Sequence, residues 1–267
     1  MSALDALADW PVPTVAAAVI GPAGVLATHG DTARPFRLAS VTKPLVARAA
    51  QVAVEEGAFE LDTPAGPPGA TVRHLLAHAA GVAMQSAEVL AAPGTRRIYS
   101  NVGFGLLAEA LQDAAEIEFG DYLREAVFEP LGMAASTLTG GAAAAGYGAQ
   151  SSVDDLARFA ADLLRPALVT PELHTEATTV QFPGLNGVLP GFGSQRPNDW
   201  GLGFEIRAEK SPHWTGSSNS RRPTVISASP ARSCGSIPSL TWPLWCSPTG
   251  TSGSGPIRCG RPSLMES

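Results

Sequence analysis

An α/β (α+β) fold, with an antiparallel sheet built from the two ends of the chain and a helical domain inserted between them, follows from three observations. Residues 13–32, "PTVAAAVIGPAGVLATHGDT", read as two short strands joined by a turn at Gly21-Pro22-Ala23-Gly24. A long stretch of helical periodicity comes next. After it, "DWGLGFEIRAE" (199–209) alternates as a half-buried strand does. No internal repeat interrupts this order.

The helical middle is read segment by segment. Residues 41–56 place Leu45, Ala49, Val52 and Ala53 on one apolar stripe, with Gly57 as the stop. Pro44 fits the first turn, where a missing N–H costs nothing. "TVRHLLAHAAG" (71–81) reads as a short helix capped by Thr71 and ended by Gly81. "NVGFGLLAEALQDAAE" follows, with Asn101 near its N-cap. "FGDYLREAVFEPLGM" and "SSVDDLARFAADLL" are two further amphipathic helices.

Composition sets bounds on function. The 267 residues suit one large domain or two small ones, and 45% hydrophobic content is enough for a substantial core. A net charge of −6 carries no electrostatic footprint for nucleic acid. "MSALDALADWPVP" is acidic and lacks the basic n-region of a secretory signal, and "TVAAAVI" is too short to span a bilayer. The expectation is a cytoplasmic protein with no membrane partner and no nucleic-acid partner. Charge is unevenly spread: 13 basic against 23 acidic residues fall in 1–220, and five against one in 221–267. All three cysteines also lie in the Ser/Pro/Gly-rich segment 221–267.

The chemistry starts at "RLASVTKPLV" (37–46). The chain has two lysines, Lys43 and Lys210, so Lys43 is not part of a general basic surface. Ser40 stands at the start of the predicted helix and Lys43 one turn on, facing the same way. A serine hydroxyl is a weak nucleophile until a base takes its proton. A desolvated lysine can be that base, because burial lowers its pKa. A helix N-terminus adds positive potential for a developing oxyanion. The bland reading is a capping serine and a surface lysine. A second group, Tyr99-Ser100-Asn101, directly precedes another helix. A tyrosine beside a lysine can be held as phenolate and shuttle protons. An asparagine there can bond both the lysine and a substrate carbonyl. Alone, each has a structural explanation: a strand-end aromatic for Tyr99, a plain cap for Asn101.

Together, Ser40-Val41-Thr42-Lys43 and Tyr99-Ser100-Asn101 resemble the Ser-x-x-Lys and Tyr-x-Asn motifs of the serine β-lactamase and penicillin-binding-protein superfamily. The resemblance is to its class C-like serine hydrolases, which include D-alanyl-D-alanine carboxypeptidases, D-aminopeptidases and esterases. "RHLLAHAAGV", "PGTRRIYSN", "SSVDDLARFAADLL" and "GLGFEI" extend it over residues 10–220. It implies a β-lactamase/transpeptidase-like fold and a hydrolase cleaving an ester or amide through an acyl-enzyme on Ser40. Lys43 and Tyr99 would share the base role, Asn101 would position substrate, and the Ser40 N–H would give half of the oxyanion hole. The substrate would be a small-molecule or peptide acyl donor; no metal or cofactor is implied. The expected cytoplasmic location favours esterase or D-peptidase over true β-lactamase. In domain terms, residues 1–220 form the hydrolase domain, its sheet part about 1–40 and 198–220 and its helical part about 41–197.

The third family motif, [His/Lys]-x-Gly on a strand lining the site, has no clean match. "PHWTGSSNS" offers His213, but the glycine stands at 216, one place late. Residues 221–267 read as an irregular tail: seven of the 47 are proline and the apolar residues do not alternate. A change of reading frame accounts for the break. In the shifted frame "PTVISASPARSCGSI" is compatible with Tyr-Gly-His-Phe-Gly-Gln-Ser-Gly-Thr-Phe-Leu-Trp-Val-Asp, which contains His-x-Gly. The competing reading of the segment is a genuine basic, disordered tail. The competing reading of the whole chain is a non-catalytic remnant that binds acyl ligands with little turnover. His74 and His78 have the i,i+4 spacing of metal ligands, but no Glu follows His74 as in a zinc peptidase, so they read as core or surface histidines. Cys234, Cys246 and Cys259 have no metal-ligand spacing.

Overall fold

Fourteen consecutive helical residues, Thr42–Glu55 (α1), form the axis on which the rest is built. In this computed structural model, which describes residues 4–215, 225–226 and 244–245, every side chain of α1 from Thr42 to Ala53 is buried. The apolar stripe predicted for this helix is therefore one side of an element enclosed on all sides. Gly57, at φ +75°, ends it in a conformation that costs glycine little.

The N-terminal hairpin forms as its pattern predicts. Ala17–Gly21 (β1) pairs antiparallel with Gly24–His29 (β2), closed by a turn in which Gly21 faces Gly24. A three-stranded sheet follows. Ala149–Ser151 (β5) lies between Phe36–Arg37 (β3) and Thr137–Leu138 (β4), antiparallel to both. It positions the start of α1 directly: the Leu38 N–H donates to Ala149 O, and the Ala149 N–H donates to Thr42 Oγ1.

The other helices come close to their sequence boundaries, with informative differences. Val72–Leu76 (α2) is shorter than expected, and Thr71 spends its hydroxyl on His74 Nδ1 at 2.9 Å rather than on a helix N–H. Asn101–Ala115 (α3) is capped by Ser100, not Asn101: Ser100 Oγ accepts from the Gly103 N–H. Phe119–Leu123 (α4) runs into a wider π-type turn at 124–128. Val153–Leu164 (α5) is capped by Ser152, and Pro171–Ala177 (α6) by Thr170 with Pro171 in its first turn. Leu45 and Val52 of α1 share one core with Phe104, Leu107 and Leu111 of α3. Two short strands, Gly187–Leu189 (β6) and Gly193–Gln195 (β7), form a further hairpin.

Residues 199–209 are not the expected strand, so the sheet part assigned to 198–220 is corrected. Trp200 and Glu205 form one isolated antiparallel bridge, and the segment is buried from Trp200 through Ile206 without alternation. The glycines are the reason. Gly203, at φ +86°, packs so closely on α1 that a Cβ would lie 2.1 Å from the Ala47 Cβ. Its N–H and that of Leu202 go to Leu76 O and Ala177 O, so the chain turns into the helical part instead of extending. Within 221–267, Val225–Ile226 (β8) pairs antiparallel with Leu244–Trp245 (β9), where irregular chain was expected; Val, Ile and Trp are all strand-favouring residues. The remainder of that segment, with the irregularity and the reading-frame account placed on it, lies outside the described residues.

A buried ion pair joins α1 to the helices beside it. Arg48 Nε lies 3.0 Å from Asp162 Oδ2, with both side chains fully buried. Arg48 also donates to Gln51 Oε1 and contacts His174 Nδ1, while Asp162 Oδ1 accepts the Ala167 and Leu168 N–H groups. Removing one partner strands a buried charge, which costs about 3–5 kcal/mol. Asp162→Ala is expected to lose stability on that scale in urea denaturation, and a loss below about 1 kcal/mol would contradict this role.

Candidate active site

Three parts of the chain that are far apart in sequence converge on one amine. Lys43, in the first turn of α1, is 2% exposed. Its Nζ donates to Asn101 Oδ1 at 2.6 Å and to Gly146 O at 2.7 Å, and lies 3.4 Å from Ser40 Oγ. It sits 4.4 Å from the centre of the Tyr99 ring and 5.7 Å from that of Phe104. The Ser40 side chain is close enough to the Tyr99 phenol to lower its pKa. All four residues singled out in the two motifs, Ser40, Lys43, Tyr99 and Asn101, are thus brought together.

Each is held by its own local structure. Ser40 lies in a 3-10 turn, Ala39–Val41, that leads into α1, so it stands just before the α-helix rather than at its first residue. Ala39 has φ +46°, a conformation costing a non-glycine residue about 1–3 kcal/mol, tied down by the Leu38 bond to β5. Asn101 opens α3. Its side chain is committed to Lys43, which is why the cap falls to Ser100. Gly146 was not picked out in the sequence. A Cβ there would lie 2.9 Å from Asn101 Cα, so a glycine is what allows its carbonyl to reach the amine.

The electrostatics assign the protons. Burial pushes the Lys43 pKa well below the usual lysine range. A neutral amine has two N–H bonds and one lone pair. Asn101 and Gly146 accept the two hydrogens, and the lone pair is left for the Ser40 proton. Burial pushes the Tyr99 phenol in the opposite direction, strongly upward; the Ser40 side chain lowers it and the Glu205 charge raises it further. The phenolate expected beside a lysine is therefore disfavoured: a lysine that has lost its own charge cannot stabilise an anion. The arrangement sets a desolvated amine and a protonated phenol beside one serine hydroxyl.

His213 does not join this group. Its Nε2 is 2.9 Å from Glu205 Oε1 and its Nδ1 is 2.7 Å from Thr215 Oγ1. Glu205 also takes Lys210 and the Trp214 indole N–H. Burial alone would raise the Glu205 carboxyl, but the His213 hydrogen bond and the Lys210 charge outweigh it and hold its pKa below the usual range. His74 and His78 point to different surroundings. The His74 ring stacks on Phe182, and the His78 ring packs among Tyr99, Phe104 and Trp200. No cluster of metal-ligating side chains occurs among the described residues. Arg97 was also missed: it is 1% exposed and spans Ala77 O, Gln181 O and Asn198 O, fixing the segment that delivers Tyr99.

A serine and a buried lysine at the start of a helix, facing a tyrosine just before a second helix and an asparagine at its first residue, mark the β-lactamase/transpeptidase-like class of serine-hydrolase folds. A profile of the beta-lactamase family matches residues 6–235. The chain is 72% identical to a beta-lactamase from Mycobacterium bovis of known structure, with a TM-score of 0.82 over 83% of this chain and 81% of that one. The chain belongs to the beta-lactamase family. More distant folds agree. A penicillin-binding protein from Bacillus halodurans has 20% identity and a TM-score of 0.63 over 76% of this chain and 82% of that one. A beta-lactamase/D-alanine carboxypeptidase from Yersinia pestis has 22% identity and a TM-score of 0.57 over 74% and 76%. Comparison with curated proteins returns no match.

The lowered lysine pKa sets the pH dependence of acylation. At low pH Lys43 is an ammonium and cannot accept a proton. Acylation of Ser40 is expected to rise with pH as Lys43 deprotonates, in a window lying below the ordinary lysine range. Lys43→Arg, which stays charged throughout, is expected to lose about 10²–10⁴-fold in acylation rate at every pH. A Lys43→Arg variant with the parental rate would exclude Lys43 as base.

Proposed function

We propose that this chain is a serine hydrolase that cleaves an ester or amide acyl donor through a covalent acyl-enzyme on Ser40. One observation carries the reading: the buried Lys43 Nζ donates to Asn101 Oδ1 and Gly146 O and lies 3.4 Å from Ser40 Oγ, so that on losing a proton it can turn a lone pair to the Ser40 hydroxyl. Proton transfer to Lys43 as Ser40 Oγ attacks the acyl carbon gives a tetrahedral oxyanion. The Ser40 N–H is one donor to that oxyanion. The leaving group departs with the proton, returned through Lys43 and Tyr99, and water then releases the acyl group by the same relay. Asn101 orients the substrate carbonyl from the opposite side.

Among acyl donors we assign a simple ester or a D-peptide ahead of a β-lactam, in keeping with a cytoplasmic setting. Among the described residues no helix is long and apolar enough to cross a membrane. The Mycobacterium bovis relative, described as a beta-lactamase, supports a second reading, β-lactam hydrolysis, at 72% identity. A third-motif strand would supply the second oxyanion donor. Restoring the alternative reading frame after about residue 220 is proposed to bring in that strand and to raise turnover by about 10²–10³-fold.

The experiment is to incubate the protein with a fluorophosphonate or a labelled penicillin and locate the adduct by mass spectrometry. The label is expected on Ser40, to be abolished by Ser40→Ala and kept by Ser100→Ala. Labelling of another serine refutes the assignment, and no labelling supports the non-catalytic remnant. A kcat/KM for p-nitrophenyl esters at least about tenfold above that for a chromogenic cephalosporin supports the ester reading; the reverse ratio favours the β-lactam one.

A further inference from the structure

His78 is buried beside the site, yet neither motif contains it and the proton relay does not use it. Its backbone has φ +55°, in the left-handed region. From there it grips the segment carrying Tyr99 on both sides. The Ile98 N–H donates to His78 O at 2.8 Å, and the Ser100 N–H donates to His78 Nδ1 at 3.2 Å. Tyr99 lies between these two anchors, and the imidazole packs on its ring with centroids 4.5 Å apart. Trp200 meets the imidazole edge-to-face at 4.7 Å, and Phe104 closes another side at 5.1 Å. The carbonyl of the preceding residue, Ala77, accepts from Arg97. Residues 77 and 78 therefore hold 97 through 100 at several points.

We propose that His78 is the positioning residue for Tyr99, a neutral imidazole that holds the phenol against the Ser40 hydroxyl. This rests on the reading of Ser40, Lys43 and Tyr99 as the acylating group. An Nδ1 that accepts from a backbone N–H is unprotonated, so the neutral ring carries its proton on Nε2. That Nε2 is buried and has no hydrogen-bond partner among the described residues. An imidazolium would put a second positive charge beside Arg97, and would lose the acceptor that Ser100 needs. Burial first, then the Arg97 charge, lowers the His78 pKa well below the usual imidazole value.

Two substitutions separate positioning from bulk packing. His78→Leu fills the space but offers no acceptor. His78→Asn keeps an acceptor near the Nδ1 position and tolerates the left-handed backbone. For p-nitrophenyl ester hydrolysis, His78→Leu is expected to lower kcat about 30-fold with KM changed less than about twofold, and His78→Asn to recover to within about fivefold of the parent. In a Tyr99→Phe background, which keeps the ring but lacks the hydroxyl, the further cost of either change is expected to fall below about twofold. A parental kcat for His78→Leu, or equal costs in the two backgrounds, overturns the proposal. If His78→Leu does not fold, the same comparison is made with His78→Asn. Nitrogen NMR of histidine-labelled protein at pH 7, assigned by loss of a signal in His78→Asn, needs no turnover. It is expected to show an Nε2–H tautomer, and an Nδ1–H ring or an imidazolium overturns the proposal. Failure of the parent to acylate Ser40 would instead overturn the proposed function and leave the tautomer to decide the role of His78.

Discussion

Everything at the site depends on keeping one amine dry and nearly saturated with hydrogen bonds. Lys43 alone would not stay buried as an ammonium, since an isolated charge in an apolar interior is expensive. The fold surrounds it with the start of α1, the start of α3 and the loop before β5, and supplies an acceptor from each of the last two. The close approach of Gly146 to Asn101 is therefore an electrostatic requirement as well as a packing one. The three-stranded sheet serves the same end: β5 fixes the first turn of α1 through Thr42 and follows directly on the loop that carries Gly146.

Lys43 and Tyr99 are displaced by the same burial in opposite directions. Desolvation favours the neutral form of each, so the amine becomes a base and the phenol stays an acid. A neutral amine, a neutral phenol and a serine hydroxyl can exchange a proton without a separated charge in the resting state. The surrounding charges keep this balance. Arg97, lowered to about 10 by burial against the attraction of Asp199, and Lys210, engaged by Glu205, remain cationic outside the relay. The arrangement costs stability, as strained Ala39 and buried Lys43 both indicate, and the enclosed core around α1 offsets it.

Much of this was readable in the sequence where local rules dominate. The hairpin at 17–29, the length of α1 and its glycine stop, and the meeting of Ser40, Lys43, Tyr99 and Asn101 all follow from turn residues, helical spacing and two short motifs. Residues 199–209 show where such reading fails. Their alternating pattern is that of a strand, but Gly201 and Gly203 let the backbone press against Ala177 and Ala47, and tertiary contact overrides the local preference. Gly146 and His78 were illegible for a different reason. One contributes a backbone carbonyl and the other an unusual φ, and neither leaves a periodic mark; the run of glycines at 146 and 148 was the available hint. The Asn101 cap was misplaced because Asn and Ser are equally good caps, and the choice between them was made by a lysine 58 residues away.

The claim on which the account rests is that burial lets Lys43 lose its proton well below the ordinary lysine range, and it can be measured directly. The chain has two lysines, so a protein labelled with ¹³C at the lysine Cε gives two side-chain signals, and Lys210→Arg assigns them. The account predicts that the Lys43 signal moves to the shift of a neutral amine well below the ordinary lysine value. A Lys43 signal that stays in the ammonium position until the pH passes about 10 would contradict it, and with it the assignment of Lys43 as the base that activates Ser40.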